Sequence, residues 1–137
     1  MESFKVRIEA QVYPTEDPEK VKQAIGNLYE GPLVLEEFGG GRVRTFKGLA
    51  EGLEALKGMR DILKRDRVRA AAHAALMAGL SGDGVPVYLN KQVAFTKHVS
   101  FCGPEFESPL GPITVRIEGE DPLRAVEWLT SRTGEER

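Results

Sequence analysis

The tetrapeptide VRIE occurs at 6–9 and again at 115–118, each time inside a segment that alternates apolar and polar residues. In FKVRIEAQV (4–12), Phe4, Val6, Ile8, Ala10 and Val12 fall on one side, and Lys5, Arg7, Glu9 and Gln11 on the other. Ile113, Val115 and Ile117 alternate in the same way with Thr114, Arg116 and Glu118. A period of two with one apolar face specifies a half-buried strand, and such strands need a sheet with one covered side. An EDP tripeptide follows each strand, at 16–18 and 120–122. Asp17 and Asp121 can cap helices there, and Pro18 and Pro122 take the first helical position, where a missing N–H costs nothing. Strand–cap–helix units therefore lie near both ends. The chain does not repeat in register between them, which favours one structural problem solved twice over an internal duplication.

The first helix carries Val21, Ala24, Ile25 and Leu28 at helical spacing and stops at Gly31–Pro32. The last places Leu123, Val126, Trp128 and Leu129 on an amphipathic pattern. In the middle, LVLEEF (33–38) and RVRTF (42–46) flank three glycines, which predicts a hairpin. A helical pattern runs from Leu49 to about Leu80. Gly52 and Gly58 weaken its first part and predict a break near 57–59. In the second part Met59, Ile62, Leu63, Ala70, His73, Met77 and Leu80 form one stripe. SGDG (81–84) ends it, VPVYL (85–89) and HVSF (98–101) read as short strands, and GPEFESPLGP (103–112) as a Pro-rich connection. The pattern predicts an α+β fold, a largely antiparallel sheet with helices packed on one face.

At 137 residues the chain fits one domain, 1–137, and a domain of this size buries roughly 68–70% of its unfolded surface, enough for a core without metals or cross-links. One cysteine, Cys102, forbids an internal disulfide, and with two distant histidines, His73 and His98, no zinc ligand set is legible. No basic segment followed by an apolar run opens the chain, and no run of ~18 apolar residues occurs, so the sequence predicts a cytoplasmic protein without membrane spans. The net charge of −2 conceals a polarised distribution. From Arg42 to Arg69 nine cations face four acids, whereas 84–104 holds Lys91, Lys97 and His98 with no acid at all.

Three segments are candidates for chemistry. In KGMRDILKRDRVR (57–69), Arg60, Lys64 and Arg67 are spaced to share a helix face, with Arg65 and Arg69 as a flanking row. Five such cations could neutralise backbone phosphates, although a solvated, salt-bridged helix with Asp61 and Asp66 accounts for the pattern at least as well. GGGRVR (39–44) lacks the spacing of a phosphate-binding loop and reads as a hairpin tip carrying Arg42 and Arg44, with Lys47 beyond it. In YLNKQVAF (88–95), Asn90 and Gln92 could read base or ribose edges while Lys91 holds a phosphate; a plain polar turn explains them equally. Asp66 and His73 sit on the apolar stripe two turns apart, and a buried polar pair or an exposed helix edge explains them better than proton transfer. No serine or cysteine has the context of a nucleophile, so the sequence does not support an enzyme and implies no cofactor and no metal.

Three segments together carry a resemblance. VYPTEDPEKV (12–21), YLNKQVAF (88–95), and SPLGPITVRIE (108–118) followed by WL (128–129) resemble an archaeal family of small proteins that bears an RNA-binding label. The resemblance covers essentially the whole chain. It implies an α+β fold similar to that of the ribosomal protein that binds 5S ribosomal RNA, contact with RNA, and no catalytic residues. The chain departs from the family pattern at Val68, Arg69 and Ala70, where an isoleucine–leucine–aspartate stretch is expected.

The first expectation is therefore a non-enzymatic protein that binds structured RNA, ribosomal RNA being one candidate. Arg60, Lys64, Arg65, Arg67 and Arg69 would contact phosphates, Arg42, Arg44 and Lys47 would extend the basic surface, and Asn90, Lys91 and Gln92 would make selective contacts. Phe95 and Phe101 are expected in the core, which favours recognition of backbone and shape over base stacking. The alternative is a protein–protein adaptor or a homodimer without nucleic-acid binding. An enzyme acting on a small phosphorylated ligand comes third.

Overall fold

The computed structural model describes residues 3–40, 43–102 and 111–131. Arg42 and most of the Pro-rich connection lie outside the described residues. Five strands, β1 (Phe4–Val12), β2 (Leu33–Phe38), β3 (Val43–Glu51), β4 (Gly84–Asn90) and β5 (Pro112–Gly119), form one antiparallel sheet in the order β2-β3-β1-β5-β4. The helices are α1 (Pro18–Gly26), α2 (Lys57–Arg65), α3 (Arg69–Ala78), α4 (Lys91–Phe95) and α5 (Pro122–Leu129).

The two VRIE segments meet each other at the centre of the sheet. Val6 lies opposite Ile117, Arg7 opposite Arg116 and Ile8 opposite Val115. Each strand has one buried and one more exposed face, and that is what the alternation records. Phe4, Val6, Ile8, Ala10 and Val12 are all buried, together with Ile113, Val115 and Ile117. Onto this face pack Val21, Ala24 and Ile25 of α1, Met59, Ile62 and Leu63 of α2, Ala72 and Leu76 of α3, and Ala125, Val126 and Leu129 of α5. Burying one such aliphatic side chain contributes about 1.5–3 kcal/mol. Gly48 of β3 lets the Tyr29 hydroxyl lie close against the strand, because a Cβ there would meet that hydroxyl at 2.8 Å and Ile8 Cγ2 at 2.9 Å. The Tyr29 hydroxyl donates to the Pro32 carbonyl at 2.8 Å.

The opposite face of the sheet is left uncovered by the described residues, and Lys5, Arg7, Glu9 and Gln11 are exposed on it. Arg7 and Arg116, like charges directly opposed, are held together by Glu118, whose two carboxylate oxygens each accept at 3.1 Å. Both arginines hold the Glu118 carboxyl below the usual range, Arg7 most strongly.

Four expectations need correction. The helical pattern from Leu49 is overridden by sheet pairing: β3 runs to Glu51 against β1, and Leu53–Leu56 forms a single 3-10 turn. The stripe from Met59 to Leu80 does not belong to one helix, since α2 ends at Arg65 and α3 starts at Arg69. One left-handed residue, Arg67, resets the helical phase, so Ala72 and Leu76 turn inward while His73 is exposed. HVSF is no strand, and only an isolated bridge joins Phe101 to Leu89. Finally, Asp17 caps α1 by accepting from the Glu19 amide at 2.9 Å, but Asp121 makes no such bond to α5.

Candidate nucleic-acid interface

The end of α2 carries the first half of the site. The Arg67 amide donates to the Lys64 carbonyl at 3.3 Å and the Val68 amide to the Leu63 carbonyl at 3.2 Å. This pair of bonds is the Schellman closure, which requires a left-handed residue just beyond the cap. Glycine is the default there, yet the residue is Arg67, with φ 58°. The end of α4 repeats the arrangement. The Lys97 amide donates to the Ala94 carbonyl at 3.0 Å, the His98 amide to the Val93 carbonyl at 3.1 Å, and Lys97 has φ 66°. A side chain in this region costs roughly 1 kcal/mol relative to glycine. Two cations thus occupy the two positions where backbone economy asks for glycine.

The two helix ends are tied together. Arg65 donates to the Lys97 carbonyl and, through Nε, to Asp66 Oδ1 at 2.9 Å. His98 Nδ1 lies 2.8 Å from the other Asp66 oxygen. The Arg65 guanidinium, and after it His98, holds the Asp66 carboxyl below the usual carboxylate range, and Asp66 in turn raises the Arg65 guanidinium. Arg65 and His98 therefore share one acid, Asp66, while Lys64 and Arg67 flank it in the chain and Lys97 is joined to Arg65 through its backbone carbonyl. Cations also suit the negative ends of helix dipoles, but that effect asks for charge in the last turn and not for a side chain at the left-handed position.

The other expected site residues lie elsewhere. Arg60 stacks over the Trp128 ring at 4.9 Å and donates to the Trp128 carbonyl at 2.9 Å. Arg69 reaches the Ser131 carbonyl at 3.5 Å. Both fasten α5 to its neighbours, so the face expected from Arg60, Lys64 and Arg67 does not exist: half-buried Arg60 is engaged by Trp128 and Ser131, and Arg67 has left the helix. Arg44 and Lys47 point to opposite sides of β3, and Lys47 pairs with Glu36 at 3.3 Å on the uncovered face.

Asn90 and Lys91 also change role. Asn90 caps α4, its side-chain oxygen accepting from the Val93 amide at 2.9 Å. Lys91 is 4% exposed, and its ammonium donates to the Gln11 carbonyl at 2.7 Å and to both oxygens of Glu16 at 3.0 and 3.2 Å. The Tyr13 ring lies 5.5 Å from it. Burial pushes the Lys91 pKa down, and Glu16 offsets part of that. A phosphate cannot reach a cation so enclosed. Gln92, by contrast, is exposed. Sequence reasoning missed Lys97 and His98 as site residues; the acid-free stretch at 84–104 was the signal for them. Nothing local marked Lys20, which lies 6.0 Å over the half-buried Phe95 ring.

A family model described as RNA binding matches residues 5–119. A UPF0201 protein of Sulfolobus acidocaldarius is 38% identical over 129 residues, covering 94% of this chain and 88% of that one. The chain belongs to the UPF0201 family. A second UPF0201 protein, of Pyrococcus abyssi, is 37% identical over 128 residues, with 93% of this chain and 90% of that one covered. The crystal structure of the UPF0201 protein of Methanococcus jannaschii superposes with a TM-score of 0.81 at 28% identity, over 96% of each chain. The family membership implied by the three quoted segments is therefore borne out, and so is the α+β architecture. No helix among the described residues is long and apolar enough to cross a membrane.

Proposed function

We propose that this chain is a non-enzymatic RNA-binding protein that holds the phosphate backbone of structured RNA at the joined C-terminal ends of α2 and α4. The observation that carries this is the pair of left-handed cations, Arg67 and Lys97, in positions where glycine would cost less. Lys64 and Arg65 complete the cluster, with Asp66 orienting Arg65. Such a cluster binds by releasing phosphate counterions and carries no sequence code of its own, which suits recognition of an RNA by shape. The family description supports RNA as the partner, and the resemblance found in the sequence makes ribosomal RNA the candidate to try first.

The test is a variant with Lys64, Arg67 and Lys97 all changed to glutamine, titrated against RNA at several salt concentrations. Each lost phosphate contact should reduce the slope of log affinity against log salt by roughly 0.7–0.9. An unchanged slope would refute the assignment. One observation favours a second reading, a protein partner or a homodimer: Val34 and Leu49 stand 59% and 45% exposed on the uncovered face of the sheet. A stable dimer free of nucleic acid, measured by light scattering on the purified protein, would support that reading.

A further inference from the structure

Beside the cationic cluster, α1 and α4 enclose a cleft of about 350 Å³. The two helices are pinned by Asn27, whose side-chain amide donates to the Ala94 and Phe95 carbonyls at 2.9 and 3.3 Å. The buried Lys91–Glu16 pair forms part of the lining, Val21 gives an apolar wall, and Phe95 presents its ring. Lys20, the exposed Gln92, Ala24, Thr15 and the carboxylate of Asp17 make up the rest of the lining. The expectation that Phe95 serves only the core is thus incomplete, because its ring lines an open cleft.

We infer that this cleft takes one unstacked base of the bound RNA, stacked on Phe95, with Gln92 at its edge and Lys20 on the adjoining phosphate. This rests on the RNA-binding reading and adds a pocket to it. An aromatic ring beside an apolar wall offers a base what it loses on leaving its own stack. Gln92 presents both a donor and an acceptor, so it can meet the edge of any base. Lys20 now covers the ring. A cation over an exposed ring is worth about 0.5–1 kcal/mol, whereas a base stacked on an aromatic side chain is worth about 1–3 kcal/mol. The base therefore displaces the ammonium, and the flexible Lys20 stem carries it to the phosphate that arrives with the base. The rigid floor explains why a lysine and a glutamate are buried here: their mutual pairing fixes Tyr13 and α4 and leaves Phe95 in a set position.

The test uses the full chain and single-stranded RNA hexamers carrying one 2-aminopurine. Stacking on Phe95 should quench the 2-aminopurine emission on binding. Phe95→Leu keeps apolar volume and removes the π face; it should abolish that quenching and weaken hexamer binding roughly 5- to 150-fold. The salt slope should stay unchanged, since no phosphate contact is lost. Wild-type affinity and quenching in Phe95→Leu, with salt-dependent RNA binding intact, would overturn the pocket and leave the backbone reading standing. Absence of RNA binding by the wild-type protein at any salt would overturn both. A free mononucleotide binding as tightly as the hexamer would also overturn it, by making the cleft a small-ligand site.

Discussion

Replacing Glu16 with leucine removes the counter-charge from an ammonium that cannot move to water. Lys91 is 4% exposed and Glu16 10%, and the pair lies at 3.0 Å. Breaking a buried pair from one side costs about 3–5 kcal/mol, against a total stability of about 5–15 kcal/mol for a domain. An independent bound agrees. The orphaned lysine can escape by losing its proton, and at pH 7, 3.5 pH units below the ordinary value of 10.5, this costs about 1.4 kcal/mol per unit, or about 5 kcal/mol at most. The sign of the pH dependence follows. Burial lowers the folded pKa of Lys91, so above that value the folded chain has released the proton while the unfolded chain still holds it. Stability of the variant must then rise with pH up to the unfolded value. Urea unfolding of Glu16→Leu between pH 7 and pH 10 should show the penalty shrinking by up to about 1.4 kcal/mol per pH unit. The double variant with Lys91→Met should recover most of the loss, because an apolar pair replaces an ionic one. A loss below about 1 kcal/mol, the range of an exposed pair, or a penalty indifferent to pH, would refute the buried pair.

Arg67→Gly and Lys97→Gly should each raise the unfolding free energy by roughly 0.5–1 kcal/mol, seen as a higher urea midpoint, while weakening RNA binding, since the left-handed conformation then costs less and a cation is gone. Loss of stability in both would remove the reason for regarding these cations as functional. Asn90→Ala should cost about 1 kcal/mol through the lost α4 cap and leave RNA affinity unchanged; a change in base preference would return Asn90 to the interface. Because Arg65 and His98 lower the Asp66 pKa, the stability from this group is full above its ordinary value of 3.8 and is lost as pH falls through the lower folded value. An NMR titration in which Asp66 titrates at or above 3.8 would contradict that network.

The parts of this fold that were legible share a local cause. β1 and β5 announce themselves because each is buried on one face only, and Asp17–Pro18 is a complete helix start within two residues. What was illegible depends on partners far away in the chain. Lys91 looked exposed beside Asn90 and Gln92, but its counter-charge Glu16 is 75 residues distant. Arg60 looked like a phosphate ligand until Trp128, 68 residues on, gave it a ring and a carbonyl. The break after α2 was hidden for the opposite reason. Its signal is local, but the chain writes arginine where a glycine would have marked the turn, and the same substitution at Lys97 hid the end of α4.

The claim that RNA docks where α2 and α4 end is tested most directly by lysine footprinting: acetylation of the folded protein, with and without bound RNA, read by mass spectrometry. The account predicts that RNA protects Lys64 and Lys97, leaves Lys5 and Lys47 on the uncovered sheet face reactive, and finds Lys91 unreactive in both states. Protection of Lys5 and Lys47 with Lys64 and Lys97 still reactive would contradict it and move the interface to the open face of the sheet.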